Sequence, residues 1–196
     1  MSGPSRLRFV AAQIGPKPGK KRSLTMLLDL SELPGDDWKM LDQRTWRTGI
    51  ATPIPDWTKR ANEAGSVTAW RSFGQKTGPS QTIWTQVTPF VSADDAQSAL
   101  TDTPKNMMRN LWAEVSPTSE RVIEDYSIPD VTSQWFYEQE ALSSEGASTS
   151  RFVAATVAEW LFVVACAGLD GTWIWADVIT LASTQARKIR KVLRTT

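Results

Sequence analysis

The sequence predicts an α+β fold in which a largely antiparallel sheet is covered by helices. Segments with the two-residue alternation of strands follow one another along the chain, without the regular strand–helix alternation that a parallel sheet needs. Helical patterns occur instead near the middle and at the end, where an apolar stripe at three-and-four spacing runs through residues 177–193. A length of 196 residues with 41% apolar side chains is enough for one core.

The first residues differ in composition from the rest. Residues 1–23 are predicted to be a basic, flexible arm, followed by a single α+β domain over residues 24–196. Two glycines and two prolines between Gly15 and Gly19 favour neither a helix nor a central strand. The cations at the end of this arm are Lys17, Lys20, Lys21 and Arg22.

Seven segments are predicted as strands from alternating or continuous apolar patterns. They are residues 38–41, 66–73, 81–91, 120–128, 133–142, 151–157 and 160–167. The last two are predicted to form a buried hairpin that turns at Ala158 and Glu159. Residues 143–150 are rich in Ser and predict a polar loop.

Four helical segments are predicted between and after these strands. Asp29 and Glu32 have the spacing of a capping box, which predicts a short helical turn. Ser92 and Asp95 repeat that spacing and open a helix that continues to about Leu100. Residues 107–114 predict another helix, and the amphipathic segment 177–193 closes the chain.

Although the net charge of the chain is only +1, both of its ends are strongly basic. Six basic residues and no acidic residue precede Asp29, and five basic residues and no acidic residue follow Asp177. Such ends are able to contact phosphates or anionic lipid. The explanation that we favour is a solvated arm at one end and, at the other, helix cations that favour the dipole of the last turn.

The residues that carry most catalytic chemistry are missing. The chain has no histidine and a single cysteine, Cys166, which excludes Ser–His and Cys–His relays and the usual zinc sites. The carboxylate pairs at 36–37, 94–95 and 124–125 have no convergent partner in the sequence. We therefore predict no catalytic residue, no metal site and no cofactor.

Ten tryptophans are the most unusual positive feature. Trp84 and Trp160 lie within apolar strands and are predicted to be core residues. Trp46 and Trp57 lie among cations and prolines in predicted loops, where binding residues concentrate. The predicted partner-binding residues are therefore Trp46, Arg47, Trp57, Lys59 and Arg60.

Residues 27–33, residues 84–96 and the passage from residues 165–168 into the final helix share a pattern with a known family. In these stretches the chain resembles the PknH-type sensor domain of mycobacterial serine/threonine kinases and related lipoproteins. The resemblance implies a PsbP-like sheet with helices against it and an actinobacterial source. It also implies a non-enzymatic scaffold that senses a ligand or a partner, and it transfers no functional residue.

The expected environment departs from that family. Its sensor domains are extracytoplasmic and held by disulfides, whereas Cys166 has no intrachain partner. No signal segment is recognised, and Glu159 interrupts the longest apolar run, residues 152–169, so no membrane span is expected. The predicted location is the cytoplasm.

These observations predict a non-enzymatic binding or assembly module that contacts a protein partner or a small ligand. The alternative, favoured by the cationic ends, is a nucleic-acid-associated protein. A hydrolase that uses only carboxylates is the third hypothesis.

Overall fold

Seven strands form one antiparallel sheet in the computed structural model, which describes residues 19–47, 56–78, 80–100, 117–143, 146–169 and 171–195. The strands are β1 (Trp38–Arg47), β2 (Val67–Gln75), β3 (Gln81–Pro89), β4 (Pro117–Ile123), β5 (Ser133–Ser143), β6 (Gly146–Val157) and β7 (Trp160–Leu169). Their order across the sheet is β1-β2-β3-β7-β6-β5-β4. The predicted α+β fold with an antiparallel sheet is confirmed.

The helices divide between the two faces of the sheet. They are α1 (Lys20–Thr25), a 3-10 turn (Leu30–Glu32), α2 (Asp56–Glu63), α3 (Ala93–Ala99) and α4 (Trp175–Arg194). Helix α4 packs on β6 and β7, and α1 packs on β2 and β3. Helix α3 contacts β6 and β7 from the opposite side and also contacts α2. No helix in the described ranges is both long and apolar enough to span a bilayer.

The main core lies between the sheet and α4. Phe162 and Val164 on β7 meet Val178, Ala182 and other apolar residues of the α4 stripe, and all four are essentially inaccessible. Both faces of β7 are buried because helices cover the centre of the sheet on both sides. Strand β7 therefore has a continuous apolar sequence rather than an alternating one.

The predicted hairpin of residues 151–157 and 160–167 is confirmed. Val157 pairs with Trp160, and the register continues without a shift to Ser148 opposite Leu169. Ala158 takes a positive φ of 51° in the two-residue turn, a conformation that non-glycine residues adopt rarely.

Most of the segment predicted as a polar loop, residues 146–150, belongs to a strand instead. Strand β6 begins at Gly146, which pairs with Ser143 of β5. Thr149 and Ser150 are 4% exposed because β5 and β7 flank them on both sides. Neighbouring strands thus bury polar residues that local composition assigns to a loop.

The predicted arm extends too far toward the C-terminus. Residues 20–23 belong to α1, and the buried hydroxyl of Ser23 donates a 2.9 Å hydrogen bond to the Val67 carbonyl. The apolar run Met26, Leu27 and Leu28 is fully buried and holds this segment on the sheet. Residues 1–18 and the helix predicted at residues 107–114 lie outside the described residues.

Cys166 provides a test of the hairpin. Its thiol is fully buried, and burial together with the charge of Asp177 raises the pKa of the thiol, although Arg151 opposes this effect. Because the thiolate is the reactive form, we expect a thiol reagent to label Cys166 only after denaturation. Rapid labelling of the native protein, followed by mass spectrometry, would contradict the placement of β7 in the sheet centre.

Candidate functional site

The tryptophans divide between the two faces of the sheet. Four of them are buried in the core beneath α4 and its flanking loops: Trp38, Trp160, Trp173 and Trp175. Four others are half-buried and lie on the opposite face: Trp46, Trp70, Trp84 and Trp135. The predicted core position is confirmed for Trp160, whereas Trp84 is only partly covered. The side chains of Trp57 and Trp112 lie outside the described residues.

Three of the half-buried tryptophans form a diagonal across adjacent strands. Trp46 on β1 is opposite Thr68, and Trp70 lies two residues beyond Thr68 on β2. Trp84 on β3 is opposite Ser72, which lies two residues beyond Trp70. Diagonal neighbours on one face are within reach of aromatic side chains. We call the sheet face that carries Trp46, Trp70, Trp84, Trp135 and Tyr137 the tryptophan face.

Ala165 and Phe152 lie between this diagonal and a second aromatic group on β5. Ala165 on β7 lies between Trp84 and Phe152 in the register, and Tyr137 on β5 follows Phe152. Trp135 and Tyr137 stack with their ring centroids 4.9 Å apart and an interplanar angle of 14°. With strands spaced about 4.8 Å apart, the two aromatic groups on β3 and β5 are separated by about 14 Å.

Polar groups complete the tryptophan face near Tyr137. Burial raises the pKa of the Tyr137 phenol, and a hydrogen bond to Glu120 and the charge of that carboxylate raise it further. Tyr137 is therefore a neutral hydrogen-bond donor at any physiological pH. Gln139, two residues along β5, is 5% exposed, and its side-chain carbonyl accepts no hydrogen bond from the residues that the structure describes. An orphan buried acceptor is costly unless something donates to it.

The predicted partner-binding residues lie on regular elements rather than in loops. Strand β1 extends past Leu41 through a bulge between Met40 and Asp42, and it carries Trp46 and the exposed Arg47 at its end. Pairing with β2 supplies the backbone hydrogen bonds that sustain this extension, which the local sequence does not reveal.

The other predicted partner-binding residues, Trp57, Lys59 and Arg60, belong to α2. Lys59 is exposed, whereas Arg60 forms an ion pair with Asp95 of α3 at 2.5 Å. The Asp95 side chain is 7% exposed. Arg60 therefore connects two helices within the molecule.

The basic residues of the predicted arm do not act as one group. Lys17 lies outside the described residues, and nothing is described for the Lys20 side chain. Lys21 is exposed on α1, whereas the guanidinium of Arg22 lies over the Trp160 ring at 5.8 Å from its centroid. Two of these four cations are thus placed by the α1 helix, one facing solvent and one against the core.

In two of the three carboxylate pairs, one residue has a structural partner. Asp95 is bound by Arg60, and its backbone N–H donates 3.1 Å to the Ser92 hydroxyl as in a helix cap. Asp37 accepts hydrogen bonds from both the backbone and the hydroxyl of Thr77. Among the described residues no three Asp, Glu or Cys side chains are grouped as a metal site would require.

The fold matches a solved structure. The chain is similar to the crystal structure of the extracellular domain of PknH from Mycobacterium tuberculosis, with a TM-score of 0.55 and 13% sequence identity. The match covers 90% of this chain and 97% of that domain. No family model matches the chain, and no curated protein matches it. The fold implied by the sequence resemblance is confirmed.

Proposed function

We propose that this protein is a non-enzymatic binding module of the sensor type, and that the tryptophan face binds a protein partner. The observation that carries the proposal is the grouping of half-buried tryptophans on one face of the sheet. Trp and Tyr are enriched among residues that dominate interface energies.

The width of the tryptophan face favours a protein over a small ligand. Trp46 on β1 and Trp135 on β5, on either side of the two strands that α3 contacts on this face, are separated by five inter-strand steps, which corresponds to about 24 Å. A standard interface of about 800 Å² per partner is of similar width. The predicted residues Trp46 and Arg47 lie at one side of this face, so they belong to the proposed surface.

The location of the protein is a separate proposal. The lone buried thiol of Cys166 accords with a reducing compartment. The domain of similar fold is described as extracellular. Fractionation of the native host with an antibody to this chain would test the cytoplasmic location.

Tryptophan substitutions test the proposed surface. We expect Trp46→Ala and Trp135→Ala each to weaken partner binding by about tenfold or more, because truncation of an interface tryptophan removes a large contact area. The partner is first identified by stoichiometric copurification with the wild-type chain from the native host. The affinities of the purified pair are then measured by calorimetry.

Leu142→Ala is the matched control. Leu142 lies on β5 and is 66% exposed, and its strand position directs it to the face opposite Trp135. The Leu142→Ala variant should bind the partner with the same affinity as the wild type. If all three variants keep the wild-type unfolding midpoint and bind the partner as tightly as the wild type, the tryptophan face is ruled out as the binding surface. Turnover of a substrate that one carboxylate substitution abolishes would contradict the non-enzymatic assignment.

A further inference from the structure

The cations of α4 do not all have intramolecular partners. Lys188 binds Asp29 and Glu32 at 2.5 and 2.7 Å, and Arg190 pairs with Asp130 at 3.2 Å. Although burial alone would raise the pKa of Asp29, Lys188 and Arg71 hold that pKa below its usual value. Lys188 and Arg190 therefore link α4 to the neighbouring segments through ion pairs.

A groove of about 520 Å³ lies between α4 and the N-terminal segment. Thr184, Arg187, Lys188 and Lys191 line it from one stripe of α4, at the three-and-four spacing of a helix face. Thr25 of α1 and Glu32 of the 3-10 turn line it from the N-terminal segment. This volume is within the range of small-molecule sites.

Arg187 and Lys191 project into this groove without acidic partners in the described part of the chain. Arg187 donates a 3.1 Å hydrogen bond to the neutral Thr184 hydroxyl. Like charges four residues apart on a helix repel each other, so the pair is unfavourable without a counter-charge. The helix dipole compensates cations only within about the last turn, and Arg187 lies two turns before the end of α4.

The hydroxyl groups of the groove restrict the ligand further. Thr25, Thr184 and Thr195 donate their hydroxyl protons to backbone carbonyls at 2.7, 2.9 and 3.0 Å. Their oxygens are then available only as acceptors. The groove thus offers charged donors from Arg187 and Lys191 and neutral acceptors from threonines, while its one lining carboxylate among the described residues, Glu32, is neutralised by Lys188 at 2.7 Å. A ligand with an anionic oxygen group and neighbouring hydroxyls matches this arrangement.

We propose that this groove binds the phosphate group of a phosphorylated polyol, with Arg187 and Lys191 contacting the phosphate and the threonine oxygens accepting from polyol hydroxyls. The same chemistry occurs in a free sugar or inositol phosphate and in an inositol-lipid headgroup. The site is separate from the tryptophan face, because it lies beside α4 on the other side of the sheet.

Calorimetry with myo-inositol 1-phosphate and with myo-inositol tests the proposal on the full chain. We expect the phosphate to bind and the neutral polyol to bind at least about tenfold more weakly. The double variant Arg187→Gln/Lys191→Gln should lose at least about tenfold in affinity for the phosphate, with its unfolding midpoint unchanged. The matched control is Arg194→Gln, an exposed α4 cation that does not line the groove, and it should bind within about twofold of wild type.

Vesicles distinguish the two sources of the phosphate. Cosedimentation with phosphatidylcholine vesicles containing phosphatidylinositol, lost in the double variant, identifies the lipid headgroup. Binding of the free inositol phosphate alone identifies a soluble ligand. The proposal is overturned if the wild type binds neither probe, or if the double variant binds them as well as the wild type does. It is also overturned if the wild type binds only DNA or RNA and Arg194→Gln weakens that binding as much as the double variant does. Trp46→Ala should leave the affinities for both probes unchanged. A failure of the phosphate-site proposal is therefore distinguishable from a failure of the proposal that the tryptophan face binds a partner.

Discussion

Ile189→Asp is expected to unfold the protein, or to lower its free energy of unfolding by about 4 kcal/mol or more. Ile189 is fully inaccessible and belongs to the core cluster beneath α4. The nearest cations along the helix, Lys188 and Arg190, are already bound to Asp29, Glu32 and Asp130 on the flanking loops. A carboxylate at position 189 would thus be buried without a partner. Urea unfolding followed by circular dichroism measures the loss.

Lys191→Glu on the same helix is the control. The side chain is exposed two residues further along α4, in the last turn. Reversal of its charge opposes the helix dipole and should cost no more than about 1 kcal/mol. If Ile189→Asp unfolds at the same urea concentration as Lys191→Glu, the core beneath α4 has been assigned to the wrong residues.

Elements with strong local signals were predictable from the sequence. The Ser92 cap of α3 forms as its spacing indicates, with the Asp95 N–H 3.1 Å from the Ser92 hydroxyl. The stripe of residues 177–193 becomes the buried side of α4, which begins two residues earlier at Trp175. In both cases the information lies within a few residues of the element, where caps and apolar periodicity act.

Elements that depend on partners distant in sequence were not predictable in the same way. The extension of β1 to Arg47 rests on pairing with β2, about twenty residues away in the chain across an intervening helix. The polar start of β6 at Gly146 rests on β5 and β7 on either side. Strand propensity is mostly a property of the neighbours that a strand meets, so Ser and Thr are buried there without local warning.

The candidate site shows the same limit. Alternation along β5 places Trp135, Tyr137 and Gln139 on one face, as the two-residue period of a strand requires. Their proximity to Trp84 requires the order β3-β7-β6-β5, in which the last two strands of the chain lie between β3 and β5. No pattern within a single segment contains that order. The groove beside α4 likewise requires α1, whose first four residues, 20–23, sequence reasoning assigned to a flexible arm.

Glu138→Ala is expected to lower the free energy of unfolding by about 3 to 5 kcal/mol, the cost of breaking a buried ion pair from one side. Glu138 is 2% exposed and accepts a 2.7 Å hydrogen bond from the Arg121 Nε, while its other oxygen lies 2.7 Å from the Arg151 Nε. The Arg151 side chain is 15% exposed and also donates to the Trp173 carbonyl. Loss of the carboxylate leaves this guanidinium buried without a counter-charge, which is the main source of the destabilisation.

Two further variants separate lost charge pairing from lost packing. Glu140→Ala removes an exposed carboxylate two residues along the same strand, whose partner is the Ser119 hydroxyl, and should cost less than about 1 kcal/mol. The double variant Glu138→Leu/Arg151→Met replaces both buried charges by apolar groups and should recover most of the stability that Glu138→Ala loses. The unfolding free energies of all three are compared by urea titration. If the double variant is no more stable than Glu138→Ala, the Glu138 carboxylate does not stabilise the fold mainly by neutralising Arg151.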